Sequence, residues 1–141
     1  MDARINSVYW TLRMAFGLTA FLAGLDKFFN LLTNWEQYAS PLALGILPLS
    51  AGALMRVAGV VEILVGLAVL SGVTRLGGYV VAAWLTLIAI NLVTTGRFFD
   101  VAVRDLVMAC GAFTLAKVSE IRAAEATESA SEARALRTSE A

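Results

Sequence analysis

The chain has 141 residues, of which 59% are hydrophobic and 16% charged, at a mean hydropathy of +0.76; an average soluble domain is roughly a quarter charged, which excludes a water-soluble globule here. Eleven basic side chains balance eleven acidic ones, and no basic patch carries interleaved aromatics, so nucleic acid is not an expected partner. With no histidine and one cysteine, Cys110, the chain has no internal disulfide, no Cys-x-x-Cys pair, no bis-histidine haem and none of the common zinc or copper sites.

A bilayer core about 30 Å thick needs about 20 mostly apolar residues per helix. Four stretches are predicted to span it. The first covers residues 8–27; its leader, MDARINS, has no net positive charge and Arg13 interrupts the apolar run, which does not read as a secretory signal. The segment that follows, FFNLLTNWEQYASPLALGILPLSAGA, is semi-polar, carries Phe28, Phe29, Trp35 and Tyr38, and is broken by Pro41 and Pro48. Trp and Tyr favour the headgroup level. This predicts a short interfacial helix over residues 29–39, then an irregular re-entrant or surface stretch. The second and third spans, 54–73 and 76–95, are joined by the tight turn SGVTRLGG. The fourth, 101–118, is the weakest, because Arg104 and Asp105 lie in its first turns. The tail, 119–141, is rich in Ala, Glu, Ser and Arg without an apolar stripe, as in a solvated, fraying helix or a disordered segment. The predicted architecture is all-α: an integral membrane four-helix bundle (1–118) with a short interfacial helix in its first loop, and a polar tail.

Four spans put both termini on one side, together with Arg4, Arg75, Lys117, Arg122, Arg134 and Arg137; the other side holds Lys27, Arg56, Arg97 and Arg104. The positive-inside rule then predicts cytoplasmic termini.

The stretch VAGVVEILVGLAVLSG holds one ionisable residue, Glu62, near the middle of the second span. A charge at a span centre costs about 2.5–3.5 kcal/mol on insertion scales, so it pairs or faces a polar cavity. Positions three, four and seven apart share a helix face. Arg13, Gly17, Ala20, Gly24 and Lys27 form one such stripe, Gly59 and Gly66 another with Glu62 beside it, and Asp105, Ala109, Ala112 and Ala116 a third. Small residues let membrane helices approach closely, which places the charges on helix-helix faces. Heights counted at about 1.5 Å per residue make Arg13 the first candidate partner of Glu62 and leave Arg56 too distant. Asp26, Lys27, Arg56, Asn91, Arg97, Asp100, Arg104 and Asp105 gather toward the outer half. Their ordinary reading is interface anchors and inter-helix salt bridges; the functional reading is an outward-facing polar pocket lidded by residues 29–39. Arg13, Lys27, Arg56, Glu62, Asn91, Arg104 and Asp105 form the candidate intramembrane site. No catalytic residue is assigned. Cys110 reads as a small core residue.

Three motifs in this order resemble the DoxX family of small four-helix membrane proteins: RMAFGLTAFLAGLDKFFN, RVAGVVEILVGLAVLSGVTRLGG and VRDLVMACGAFTLA. Arg13, Gly17, Gly24 and Lys27 match the opening helix; Glu62, Gly66, Arg75 and Gly77 match the second span and its turn; Asp105 matches the acidic start of the last helix. The resemblance covers about residues 9–117 and departs from compact members in the long first loop. It implies a multi-pass protein of a bacterial-type inner membrane. Some members resemble subunits of thiosulfate:quinone oxidoreductases, and others accompany redox proteins.

Two functions follow. The first is a non-catalytic membrane subunit, with no intrinsic cofactor, that anchors a redox or electron-transport partner through its small-residue faces. The second is a quinone- or lipid-binding oxidoreductase subunit that uses buried charges. A small transporter is disfavoured by the absence of broken spans.

Overall fold

A computed structural model describes residues 3–139 of the chain. Five α-helices follow one another, with no strand among the described residues: α1 Ala3–Asp26, α2 Pro41–Ile46, α3 Ala51–Ser71, α4 Thr74–Thr94 and α5 Phe99–Ser139. Helices α1, α3 and α4 are each long and apolar enough to cross a membrane. The first half of α5 lies antiparallel along α4, burying Ala102, Ala109, Ala112, Leu115 and Ala116. The exterior carries the large apolar side chains, among them Leu22, Leu64, Leu67, Ile90 and Val107, while small residues dominate the contacts. That inversion suits lipid, where close van der Waals packing replaces the hydrophobic effect as the force between helices.

The four long helices associate mainly as two pairs, α1 with α3 and α4 with α5. In the first pair glycines seven apart on each helix meet backbone to backbone. A Cβ on Gly24 would stand 2.7 Å from the Gly59 carbonyl oxygen, and one on Gly66 2.6 Å from the Phe21 nitrogen. In the second pair Gly78 sits on the backbone of Ala112 and Ala116.

Local chemistry sets the helix ends. Ser50 accepts a hydrogen bond from the Ala53 N–H, so α3 begins three residues before the predicted 54. It stops at Gly72, whose φ of 109° is a left-handed cap that a side chain would strain. The first loop departs from expectation. Residues 29–39 do not form one interfacial helix: Asn30 has φ 53° and breaks the chain, only Trp35–Tyr38 winds as a 3-10 turn, and the regular helix, α2, comes later. Ser40 and Pro41 explain the shift, one as N-cap to Ala43 and the other at the first helical position. Residues 119–139 continue α5 without a break as a largely exposed helix.

The ends of the bundle are closed differently. At the end near the termini, Tyr9 donates to Thr74 Oγ1 at 3.0 Å, Thr74 donates to the Val69 carbonyl at 3.1 Å, and the Arg122 guanidinium lies 3.8 Å over the Tyr9 ring. Glu120 there gathers Lys117, Tyr79 and Arg75. The Lys117 and Tyr79 donors hold its carboxyl below the ordinary range. At the other end Tyr38 meets Phe98 edge to face at 4.7 Å, over Ala89, Leu92 and Ala102.

Gly24→Ala is expected to lower stability in detergent by about 1–3 kcal/mol, because the atoms a methyl would strike are mostly backbone. Gly45→Ala, where an added Cβ meets nothing within 4 Å, should melt with the wild type. Equal midpoints for all three would mean that α1 and α3 are not in backbone contact.

Candidate functional site

The Gly24–Gly59 contact brings the end of α1 onto the middle of α3. Lys27, one residue past α1, reaches Glu62 Oε2 at 2.5 Å. The second carboxylate oxygen accepts from the Trp84 indole N–H of α4 at 3.2 Å. The Lys27 ammonium also lies 3.8 Å from the centre of the Trp35 ring. Lys27 and Glu62 are only 8% and 6% exposed. Burying two charges is costly, and the arrangement answers the cost by giving each charge the other plus one further partner.

Arg13 is not the partner of Glu62. Its guanidinium turns to the end of α3 and donates to the Val69 and Leu70 carbonyls and to the Tyr9 hydroxyl. The reason is register and electrostatics together. The glycine contacts set Gly24 against Glu62 and Gly17 against Leu70, which carries Arg13 to the α3 C-terminus, where unpaired carbonyls and the negative end of the helix dipole attract a cation.

The first loop folds over this end as a lid. The Asp26 carboxylate accepts from the Leu31 and Leu32 N–H groups at 2.9 and 3.0 Å and from the Trp35 indole at 2.8 Å. Asn91 of α4 holds the far side of the loop, accepting from the Ser40 N–H at 3.2 Å and donating to the Tyr38 carbonyl at 2.7 Å.

Beneath the lid, between the two helix pairs, is a cavity of about 520 Å³. Its walls are mostly apolar, with Phe16, Ala20, Ala58, Val65, Leu85 and Met108 among them. Lys27, Glu62, Asn91, Arg104 and Asp105 all face it. Two members of the candidate set do not. Arg13 lies at the other end, and Arg56 is exposed. Six residues before Glu62 is about a third of a turn off its face, which turns Arg56 outward to anchor the helix. Trp84, Trp35 and Asp26 were missed as a working group. The signal available for Trp84 was an indole N–H deep inside an apolar span, which needs an acceptor when buried. Cys110 is exposed on the outer side of α5 rather than in the core, where a thiol serves as a small apolar surface.

The fold and the cavity define a small multi-pass helical membrane protein with a lidded, largely apolar chamber. The family model DoxX matches residues 9–95, more than half of the chain, and the chain belongs to the DoxX family. The matched segment takes in most of α1, the lid, α3 and α4. Helix α5, with Arg104, Asp105 and the motif VRDLVMACGAFTLA, lies outside it. Neither a curated protein nor a solved structure matches the chain.

Removing one partner of a buried ion pair costs about 3–5 kcal/mol, whereas replacing both is often close to neutral. Glu62→Gln and Lys27→Met are each expected to lower the unfolding midpoint strongly, and the double variant to recover much of the loss. Arg13→Gln combined with Glu62→Gln should instead be additive. Thermal unfolding of the two cycles in detergent checks both, and coupling in the Arg13 cycle alone would overturn the pairing described here.

Proposed function

We propose that this protein is a membrane subunit that binds a quinone-class amphiphile in the chamber and works beside a redox partner. The observation that carries the reading is the chamber itself: about 520 Å³ of mostly apolar space with a small set of charged groups, inside the range of roughly 300–1,000 Å³ usual for small-molecule sites. The residues present fit such a group. The apolar walls suit a ring and an alkyl tail, and the few charged side chains among them offer partners for polar ring substituents. When bound, a quinone supplies two-electron, two-proton chemistry; its electrons would come from the partner. The chain's own part is to bind, orient and exclude water. The lid shields the chamber through Trp35 and Tyr38, and the Lys27–Glu62 pair closes one wall beneath it.

Anchoring a partner through the small-residue faces is less well supported. Gly17, Gly24, Gly59 and Gly66 pack between α1 and α3, and Gly77 and Gly78 on Val69 and α5. Those faces are covered within the chain. A partner would meet the apolar exterior or the exposed continuation of α5. We propose, on the Lys/Arg distribution, that the termini lie in the cytoplasm of a bacterial-type cell and the lid at the outer face of the inner membrane.

A short-chain alkyl benzoquinone is expected to quench the fluorescence of Trp35 and Trp84 saturably in detergent. Ala58→Phe, which fills the chamber, should weaken that binding about tenfold or more, or about 1.4 kcal/mol and upward. Quenching that does not saturate, or that Ala58→Phe leaves unaltered, would reject the chamber as the site. For orientation, reporter fusions after residue 139 and within residues 42–47 should report cytoplasm and exterior respectively; the reverse pattern would sink the assignment.

A further inference from the structure

Five charged or carboxamide side chains face the chamber, and three of them already have protein partners. Glu62 uses both oxygens, on Lys27 and Trp84. Lys27 is held by Glu62 and Trp35. Asn91 uses its oxygen and its nitrogen on the lid. The remaining two, Arg104 and Asp105, are consecutive on α5, and among the described residues neither makes a hydrogen bond or an ion pair.

The two differ in what they can reach. Arg104 is exposed and lies near the start of α5, where a long basic side chain can snorkel to water. Asp105 is half-buried and too short to do the same. It stands six residues after Phe99, about 9 Å of rise into the helix. Neighbours one apart on a helix do not face each other, and Arg104 acts on Asp105 through its charge alone, without an ion pair or hydrogen bond. Across the chamber Lys27 and Glu62 neutralise one another. Asp105 is therefore the one carboxylate facing the chamber that has no hydrogen-bond partner among the described residues, and an acceptor between apolar walls is costly until a donor meets it.

We infer that Asp105 is the recognition group of the chamber and accepts a hydrogen bond from a hydroxyl on the bound amphiphile, so the site takes the hydroxylic, reduced member of a quinone–quinol pair in preference to the carbonyl form. The inference rests on the chamber being the binding site. Its chemistry is a difference in donors. A ring hydroxyl donates to the carboxylate. A ring carbonyl has no proton to give and leaves Asp105 unpaired, the kind of mismatch by which sites built for a hydroxyl reject analogues that lack one. The open position lies on α5, while the lid and the ion pair close the opposite walls, so the polar edge of the ligand is expected to turn toward α5.

The test uses the full chain in detergent and two probes on one ring, an alkyl hydroquinone kept under argon and its dimethyl ether, which lacks both donors, with the parent quinone as a third. Titration calorimetry on the wild type is expected to show the hydroquinone binding about tenfold more tightly, the equivalent of about 1.4 kcal/mol. Asp105→Leu should bring that ratio to within about twofold. Asp105→Asn, which keeps one acceptor oxygen, should fall between, and far-ultraviolet circular dichroism checks that both variants hold their helices. Equal binding of the two probes by the wild type, or a preference that survives in Asp105→Leu, overturns the inference while leaving the chamber as a site. Tighter wild-type binding of the parent quinone than of the hydroquinone also overturns it, since Asp105 would then act as a donor. No binding of any of the three overturns the chamber reading as well.

Discussion

The backbone contact between Gly24 and Gly59 fixes where everything else in this protein can be. It sets the register of α1 on α3, and so decides which of the two cations on the α1 stripe reaches Glu62. A register displaced by two turns would offer Arg13 to the carboxylate and leave the α3 terminus uncapped. In the observed register both needs are met at once: Lys27 closes on Glu62 and Arg13 closes on Val69 and Leu70. The glycine spacing and the cation spacing on α1 therefore work as one device. Each costly group inside the lipid layer finds its partner because the glycines let two backbones touch.

The two-pair organisation explains the chamber. Glycine and alanine draw α1 onto α3 and α4 onto α5, and the seam between the pairs holds larger side chains and stays wider. Polar contacts and rings close the seam at its ends, through Tyr9, Thr74 and Arg122 at one and Tyr38, Phe98 and Asn91 at the other. Midway, the hydrogen bond from Trp84 to Glu62 crosses it. These contacts hold the walls of the chamber apart at both ends and at its middle.

Much of the fold was legible in the sequence because the bilayer constrains it so tightly: span length, the glycine stripes and the turn at Gly72 follow from apolar runs and small-residue spacing. The lid was less legible. Aromatic content suggested one helix over residues 29–39, whereas the chain obeyed the Ser40–Pro41 cap and the Asp26 carboxylate, which acts over five, six and nine residues. The candidate site was legible as a set but not as a geometry. Height along a helix can be counted from sequence, and it placed Arg13 within reach of Glu62. The register that sent Arg13 elsewhere is a property of two helices together. Trp84 escaped notice for a related reason: its indole looks apolar in a span until a carboxylate on another helix supplies its acceptor.

The lid and the ion pair share residues, and this ties access to charge. Asp26 holds the Trp35 indole, the Trp35 ring covers the Lys27 ammonium, and Lys27 holds Glu62. Opening the first loop therefore strips a partner from the buried cation, while a ligand that drew Lys27 away from Glu62 would loosen the ring that closes the chamber. Coupling of this kind needs no large motion. It needs a short chain of contacts in which each member has few alternatives, and an apolar surround supplies that condition, because a charge or an indole N–H that loses its partner there finds no water to replace it. The protein can thus place polar chemistry in the hydrophobic layer beneath a lid held by contacts of its own.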